Sequence, residues 1–168
     1  KLIPTNPIPF VYYDEKGSKK WVIGPEAQKE LSNLKSAKPL KVVAIAGKYR
    51  EGKSYIMNGI LGAKKGFHLG HSVDGETRGL WIWIKETPQF YLVALDTEGL
   101  WDVKSPDPNR DAKIMTFSLL LSSFLILNTK SVLDSVLLDS LYTVTKVVQE
   151  IVVDTNMKSP EDLKDHTP

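Results

Sequence analysis

The residues best suited to chemistry lie in Gly47-Lys-Tyr-Arg-Glu-Gly-Lys-Ser54, which fits the pattern G-x-x-x-x-G-K-[ST]. Two glycines let the main chain wrap around an anion. The loop N–H groups and the N-terminus of the following helix then face that anion. In such a loop Lys53 would reach β- and γ-phosphate oxygens, and the Ser54 hydroxyl would ligate Mg²⁺. The plainer alternative is a chance Gly-Lys-Ser turn. An apolar run before the loop and a helical pattern after it argue for phosphate binding. Downstream, Asp96-Thr-Glu-Gly99 follows a second apolar run. An acidic residue ending a strand beside the loop's own strand can hold the Mg²⁺ water shell, and the Gly99 N–H can contact a γ-phosphate. Alone, D-x-x-G is a common strand-ending turn; after a phosphate loop it gains meaning.

Two further residues carry open alternatives. Thr77, in Val73-Asp-Gly-Glu-Thr-Arg-Gly79, is either a loop threonine or a second hydroxyl for Mg²⁺ from a segment that orders over the nucleotide. Arg50 is either a surface arginine paired with Glu51 or Glu98, or a guanidinium supplied in cis to offset charge on the β/γ bridge. Trp81 and Trp83, two apart on one strand face, read as packing residues.

The elements that position these groups follow from the apolar pattern. Phe10–Tyr13 and Trp21–Ile23, separated by the turn sequence Asp14-Glu-Lys-Gly17, read as a hairpin, preceded by a stretch kept extended by Pro4, Pro7 and Pro9. Pro25 opens a short helix through Leu34. Leu40–Ala46 is apolar enough for a central parallel strand covered on both faces. Helix is expected from Lys53 to Leu61, strands at Gly79–Ile84 and Phe90–Leu95 pairing antiparallel, helix at Asp111–Leu121, and strand at Phe124–Leu127. Leu133, Val136, Leu137, Leu141, Val144 and Val148 mark one face of a long helix from Ser131 to Val153. The expected fold is an α/β three-layer sandwich of the P-loop NTPase type. Its sheet is mostly parallel with one antiparallel strand, plus a small N-terminal β-hairpin. Its ligand would bind beyond the C-terminal ends of the strands. We read one domain over residues 1–168, with the hairpin and short helix in 1–38, the nucleotide core in 39–153 and a polar tail in 154–168.

Composition narrows the function classes. With no cysteine, thiolate catalysis and zinc–thiolate sites are excluded. His68, His71 and His166 lack the partners and spacing of a metal site. A net charge of +2 without a concentrated basic face argues against a nucleic-acid polymer as partner. The uncharged stretch from Ile114 to Thr129 is shorter than the roughly 20 residues of a membrane span. The chain opens on Lys1 and ends without a lipidation motif. The expectation is a soluble cytoplasmic protein, touching membrane only through regions absent here.

Three segments together resemble the guanylate-binding protein family of dynamin-related GTPases. They are Gly47-Lys-Tyr-Arg-Glu-Gly-Lys-Ser-Tyr-Ile-Met-Asn58, then Lys64-Lys-Gly-Phe-His-Leu-Gly70 leading into Thr77-Arg-Gly-Leu-Trp-Ile-Trp83, and Leu95-Asp-Thr-Glu-Gly-Leu-Trp-Asp-Val103 followed by Leu120-Leu-Ser-Ser123. The resemblance runs from Phe10 to Val153. It implies a domain that binds GTP or GDP with Mg²⁺, forms a homodimer or higher homo-oligomer through its nucleotide face, hydrolyses GTP and serves innate immune defence. It implies Arg50 as an internal arginine finger, Thr77 as the switch I ligand of Mg²⁺ beside Ser54 and Asp96, and Glu98 in the switch II water network. With Lys53, these make the catalytic set Arg50, Lys53, Thr77 and Glu98. The nucleotide-binding set is Gly47, Lys48, Tyr49, Arg50, Glu51, Gly52, Lys53, Ser54, Tyr55, Asp96 and Gly99.

The chain departs from the family at Gly75, where serine is usual, and at Glu76, where histidine is usual. The loss of the serine hydroxyl puts fast hydrolysis in doubt and keeps open a nucleotide-binding oligomerisation module with negligible turnover. Glu76-Thr77 is also similar to atlastin-type membrane-fusion relatives, although Leu100-Trp-Asp-Val103 favours the guanylate-binding branch. The family reads guanine with an Arg-Asp pair that follows a further strand well downstream of the long helix, and residues 1–168 hold no pair in that place, so guanine specificity rests on the resemblance. By the same comparison Phe124–Leu127 is expected to lie at an uncovered sheet edge.

Overall fold

The computed structural model describes residues 2–35, 37–48, 51–63, 66–67, 79–98, 100, 107–129, 138–139 and 141–146; for residues 2–5 and 98 it describes the backbone only. The chain divides into two compact units, Lys1–Val132 and Leu133–Pro168. In the second unit residues 141–146 are helical, with the Thr145 hydroxyl donating to the Leu141 carbonyl. Residues 138–139 are helical too, and the rest of the long helix expected between Ser131 and Val153 lies outside the described residues.

Among the described residues, the first unit is built on a six-stranded mixed sheet flanked by helices. Strand β1 (Leu2–Tyr13) and β2 (Trp21–Ile23) form the N-terminal hairpin. Its turn is closed by Asp14, whose carboxylate accepts the N–H groups of Gly17 at 2.9 Å and Ser18 at 2.7 Å. Those backbone bonds hold its carboxyl below the ordinary carboxylate value. The hairpin also extends the main sheet, because β1 pairs antiparallel with β4 (Gly79–Glu86). The register of that pair breaks between Ile3 and Ile8 and again between Pro9 and Val11. Prolines have no N–H to give a ladder, so a strand holding three of them pairs in pieces.

Helix α1 (Pro25–Ser32) follows with proline in its first turn. Next come β3 (Leu40–Gly47), α2 (Lys53–Leu61), β4, β5 (Tyr91–Glu98), α3 (Pro108–Leu121) and β6 (Phe124–Asn128). The strand order is β2-β1-β4-β5-β3-β6. Strand β3 runs parallel to both β5 and β6, and β4 runs antiparallel to β5, as the short Thr87–Phe90 turn requires. Among the described residues β6 ends the sheet on its side, with Phe124 63 % exposed. No helix among the described residues is long and apolar enough to cross a membrane.

Alternation along the central strands feeds a core on each face. On one face Ala44, Ile82, Ile84, Val93 and Leu95 pack with Ala27 and Leu31 of α1. On the other, Ile45, Trp83 and Ala94 pack with Met57 and Leu61 of α2. Each fully buried large side chain there contributes about 1.5–3 kcal/mol. Trp83 is wholly buried and meets Phe67 edge-to-face at 5.9 Å, so it serves packing as its spacing suggested. This second core clamps α2 onto β3 and β5, and thereby sets where the α2 N-terminus points.

At the end of the sheet away from that N-terminus, Lys38 ties the segment before β3 to the β4–β5 turn. Its ammonium donates to Glu86 at 2.7 Å and to the Thr87 carbonyl at 3.0 Å. The Lys38 hydrogen bond, then its charge, hold the Glu86 carboxyl below its ordinary value of 4.5. A carboxyl lowered on folding contributes stability in full above the unfolded value and loses it as pH falls through the lowered one. The stability gap between parent and Glu86→Gln is therefore expected to be constant near neutrality and to narrow below pH 4.5. The effect is modest, since 26 % and 32 % of the two side chains stay exposed. Denaturant titrations across that range check this; a gap that ignores pH would refute it.

Candidate functional site

Strand β3 delivers the chain to Gly47, and six positions later α2 begins at Lys53. Each glycine has a physical reason. A Cβ on Gly47 would lie 2.1 Å from the carbonyl oxygen of Asn128, so no larger residue fits between β3 and β6. Gly52, the N-cap of α2, is left-handed at φ 89°, a conformation that side chains resist. It brings no side chain to cap the helix, and the first helical bond runs from Ile56 N–H to Gly52 O. The first-turn N–H groups therefore have no carbonyl within the helix, and they sit at its positive end. That end is suited to an anion.

Charged and polar side chains gather around this helix end. Lys53 is only 7 % exposed, and its ammonium donates to the Lys48 carbonyl at 2.9 Å. That bond folds the lysine back along its own loop, and an ammonium carries three protons to share. The hydroxyl of Ser54 donates to Asp96 Oδ2 at 2.6 Å, joining the two motifs across 42 residues of sequence. Register explains the meeting: Ile45 of β3 lies opposite Asp96 of β5, so the carboxylate emerges beside the start of the loop. Asp96 is 6 % exposed. Strand β5 runs three residues further than its apolar run suggested, because β4 continues to pair with it: Trp81 faces Asp96, Leu80 faces Thr97 and Gly79 faces Glu98.

The structure thus brings together Gly47, Lys48, Glu51, Gly52, Lys53, Ser54 and Asp96. Tyr55 lies in the first turn of α2, but its ring is 71 % exposed, leaving its main chain as the part near the helix end. Tyr49, Arg50, Thr77 and Gly99 lie outside the described residues, as does the side chain of Glu98.

Two asparagines emerge as supports that the motifs had not singled out. Asn58, four residues after Ser54 on α2, is 8 % exposed and grips Phe67 by both main-chain groups. Its Nδ2 donates to the Phe67 carbonyl at 2.9 Å and its Oδ1 accepts the Phe67 N–H at 2.8 Å. Asn128 ends β6 and donates from Nδ2 to the Glu51 carbonyl at 2.7 Å. The one available signal for Asn128 is a lone amide ending the apolar run Phe124-Leu-Ile-Leu.

Chemically, the arrangement is suited to a polyanion and a hard cation. Main-chain N–H groups and a buried ammonium could meet anionic oxygens, and a hydroxyl paired with a carboxylate offers oxygen donors of the kind Mg²⁺ prefers.

Comparison with known proteins agrees in kind. Residues 18–167 match the family model described as guanylate-binding protein, N-terminal domain. The chain is 45 % identical to guanylate-binding protein 3 of Homo sapiens over 133 residues, covering 77 % of this chain and 22 % of that protein. It is 43 % identical over 126 residues to guanylate-binding protein 7 of Mus musculus, covering 73 % and 20 %. With guanylate-binding protein 1 of Homo sapiens the identity is 44 % over 130 residues, covering 76 % and 22 %. The chain spans about a fifth of the length of these relatives.

Proposed function

The chain belongs to the guanylate-binding protein family, and from that premise we propose that it binds GTP with Mg²⁺ and hydrolyses it. The observation that carries the reading is the Ser54–Asp96 contact at 2.6 Å beside the buried Lys53. A phosphate chain would lie along the N–H groups of the loop and the first turn of α2, with the Lys53 ammonium against its outer oxygens. Ser54 and Asp96 supply hydroxyl and carboxylate oxygens, a donor set that fits Mg²⁺, and Thr77 completes it by family resemblance. When bound, Mg²⁺ would neutralise charge on the phosphate oxygens. Arg50 offsets further charge at the β/γ bridge, and Glu98 helps hold the attacking water. Pairing of two copies through the nucleotide face, and a role in immune defence, belong to the same proposal.

A second reading is favoured by one observation. Gly75 stands where the family usually has serine, so the hydroxyl that helps place water is missing. Binding and assembly would then outlast turnover.

Binding of labelled GTP, GDP and ATP, with and without Mg²⁺, followed by single-turnover hydrolysis, tests both. We expect Mg²⁺-strengthened binding of GTP and measurable turnover. Tight binding with no turnover selects the second reading. Equal affinity for ATP would remove the guanine preference, and no binding of any of the three would overturn the site.

A further inference from the structure

Asn128 touches the phosphate-binding loop at two places. Its main chain is the ladder partner of Gly47, close enough that a Cβ on Gly47 would lie 2.1 Å from its carbonyl oxygen. Its side chain reaches along the loop to the Glu51 carbonyl, 2.7 Å from Nδ2, in a part-buried bond that spans 77 residues of sequence. The acceptor is a carbonyl oxygen, so only the NH₂ group of the amide can make this bond.

That carbonyl belongs to the Glu51–Gly52 peptide. A trans peptide is planar, with C=O and N–H on opposite sides, so whatever fixes the Glu51 carbonyl also fixes the direction of the Gly52 N–H. With glycine on its C-terminal side, this peptide lacks the usual side-chain restriction on its orientation. Gly52 has φ 89°, and a Cβ built there would meet nothing within 4 Å. Glycine tolerates both signs of φ, so the peptide can flip at little conformational cost. A flipped peptide would present a carbonyl oxygen where an N–H had been, and a carbonyl dipole repels a phosphate.

We infer that Asn128 is a positioning residue of the nucleotide site: by holding the Glu51 carbonyl toward β6 it keeps the Gly52 N–H aimed at the phosphate chain. The inference deepens the proposed GTP-binding reading and rests on it. Sequence separation makes the link one between sheet and loop. The last residue of β6 decides how the loop before α2 meets its anion.

The test compares the parent chain with Asn128→Asp and Asn128→Ala. Three quantities are read: the melting temperature of each nucleotide-free protein, its dissociation constant for Mg²⁺-GTP, and the movement of the Gly52 amide resonance when Mg²⁺-GTP is added. Asn128→Ala removes the donor and is expected to weaken binding about 3–10-fold, the worth of one neutral hydrogen bond. Asn128→Asp replaces the donor by a carboxylate facing a carbonyl, and the loss should be about tenfold or more. In both, the Gly52 resonance should respond to nucleotide less than in the parent, a signature that general loss of stability would not give. Variants that bind as the parent does, or that lose affinity only in step with their melting temperature while Gly52 still responds fully, would overturn the inference and leave GTP binding standing. A parent chain that fails to bind Mg²⁺-GTP would overturn the reading beneath it, and the inference with it.

Discussion

Replacing Lys53 by alanine is expected to abolish measurable Mg²⁺-GTP binding while leaving the fold near native. The side chain is 7 % exposed, and its charge is set down beside the α2 N-terminus with a carbonyl of its own loop as anchor. Few uses other than meeting an anion justify holding an ammonium so far from water. Removing one partner of a buried, hydrogen-bonded charge pair costs 2–5 kcal/mol or more, so affinity should fall on the order of 10²–10³-fold. The cost to the fold is far smaller. The truncation forfeits the bond to the Lys48 carbonyl, about 1 kcal/mol, with the other contacts of the ammonium, and in the same step removes a charge whose desolvation opposed folding. Calorimetric titration with Mg²⁺-GTP, alongside a melting curve without nucleotide, separates the two effects. Equal affinity of parent and variant would overturn the phosphate-loop assignment.

The loop was legible because its constraints are local. Gly52 must adopt a positive φ and the helix must start just after it, and both demands are visible in Gly52-Lys53-Ser54 and the apolar spacing that follows; α2 does run from Lys53 to Leu61. The start of α3 is equally legible. Asp107-Pro108 is a capping residue before a helix-opening proline, and the Asp107 carboxylate does accept the Arg110 N–H at 3.0 Å. The expectation from Asp111 to Leu121 therefore starts three residues late.

What was not legible depends on partners distant in sequence. Strand β5 was expected to end at Leu95, where its apolar run ends, yet its ladder continues to Glu98 because β4 reaches back to Gly79. Pro4, Pro7 and Pro9 argued for an extended stretch but could not announce that it would pair with β4 in pieces. Asn128 is the clearest case. A single amide after four apolar residues is too slight a signal to name a role, and that role exists only once β6 lies beside β3 with Asn128 opposite Gly47. The chemistry of this site is thus written in short motifs, while the geometry that aims it comes from register.

Arg50 is where motif and family resemblance reach furthest beyond the described residues, and the magnitudes there are decisive. If its guanidinium acts in cis on the β/γ bridge, its contribution grows as charge builds there. Arg50→Ala should then slow hydrolysis far more than it weakens GTP binding. Arginine fingers are worth roughly 10³–10⁵ in rate. A surface arginine paired with Glu51 or Glu98 would cost only about 0–1 kcal/mol of stability and leave the chemistry untouched. Single-turnover rates and dissociation constants, measured separately, distinguish the two roles, because a finger moves the first and spares the second. If the serine that the family usually has at Gly75 helps place water, as proposed, the parent rate is itself expected to be low. The comparison gains range when a second pair of proteins carries Gly75→Ser. If that change raises the parent rate and Arg50→Ala cancels the gain, the two residues act in one transition state. A rate loss under about tenfold in both backgrounds, with affinity unchanged, would make Arg50 an ordinary surface residue.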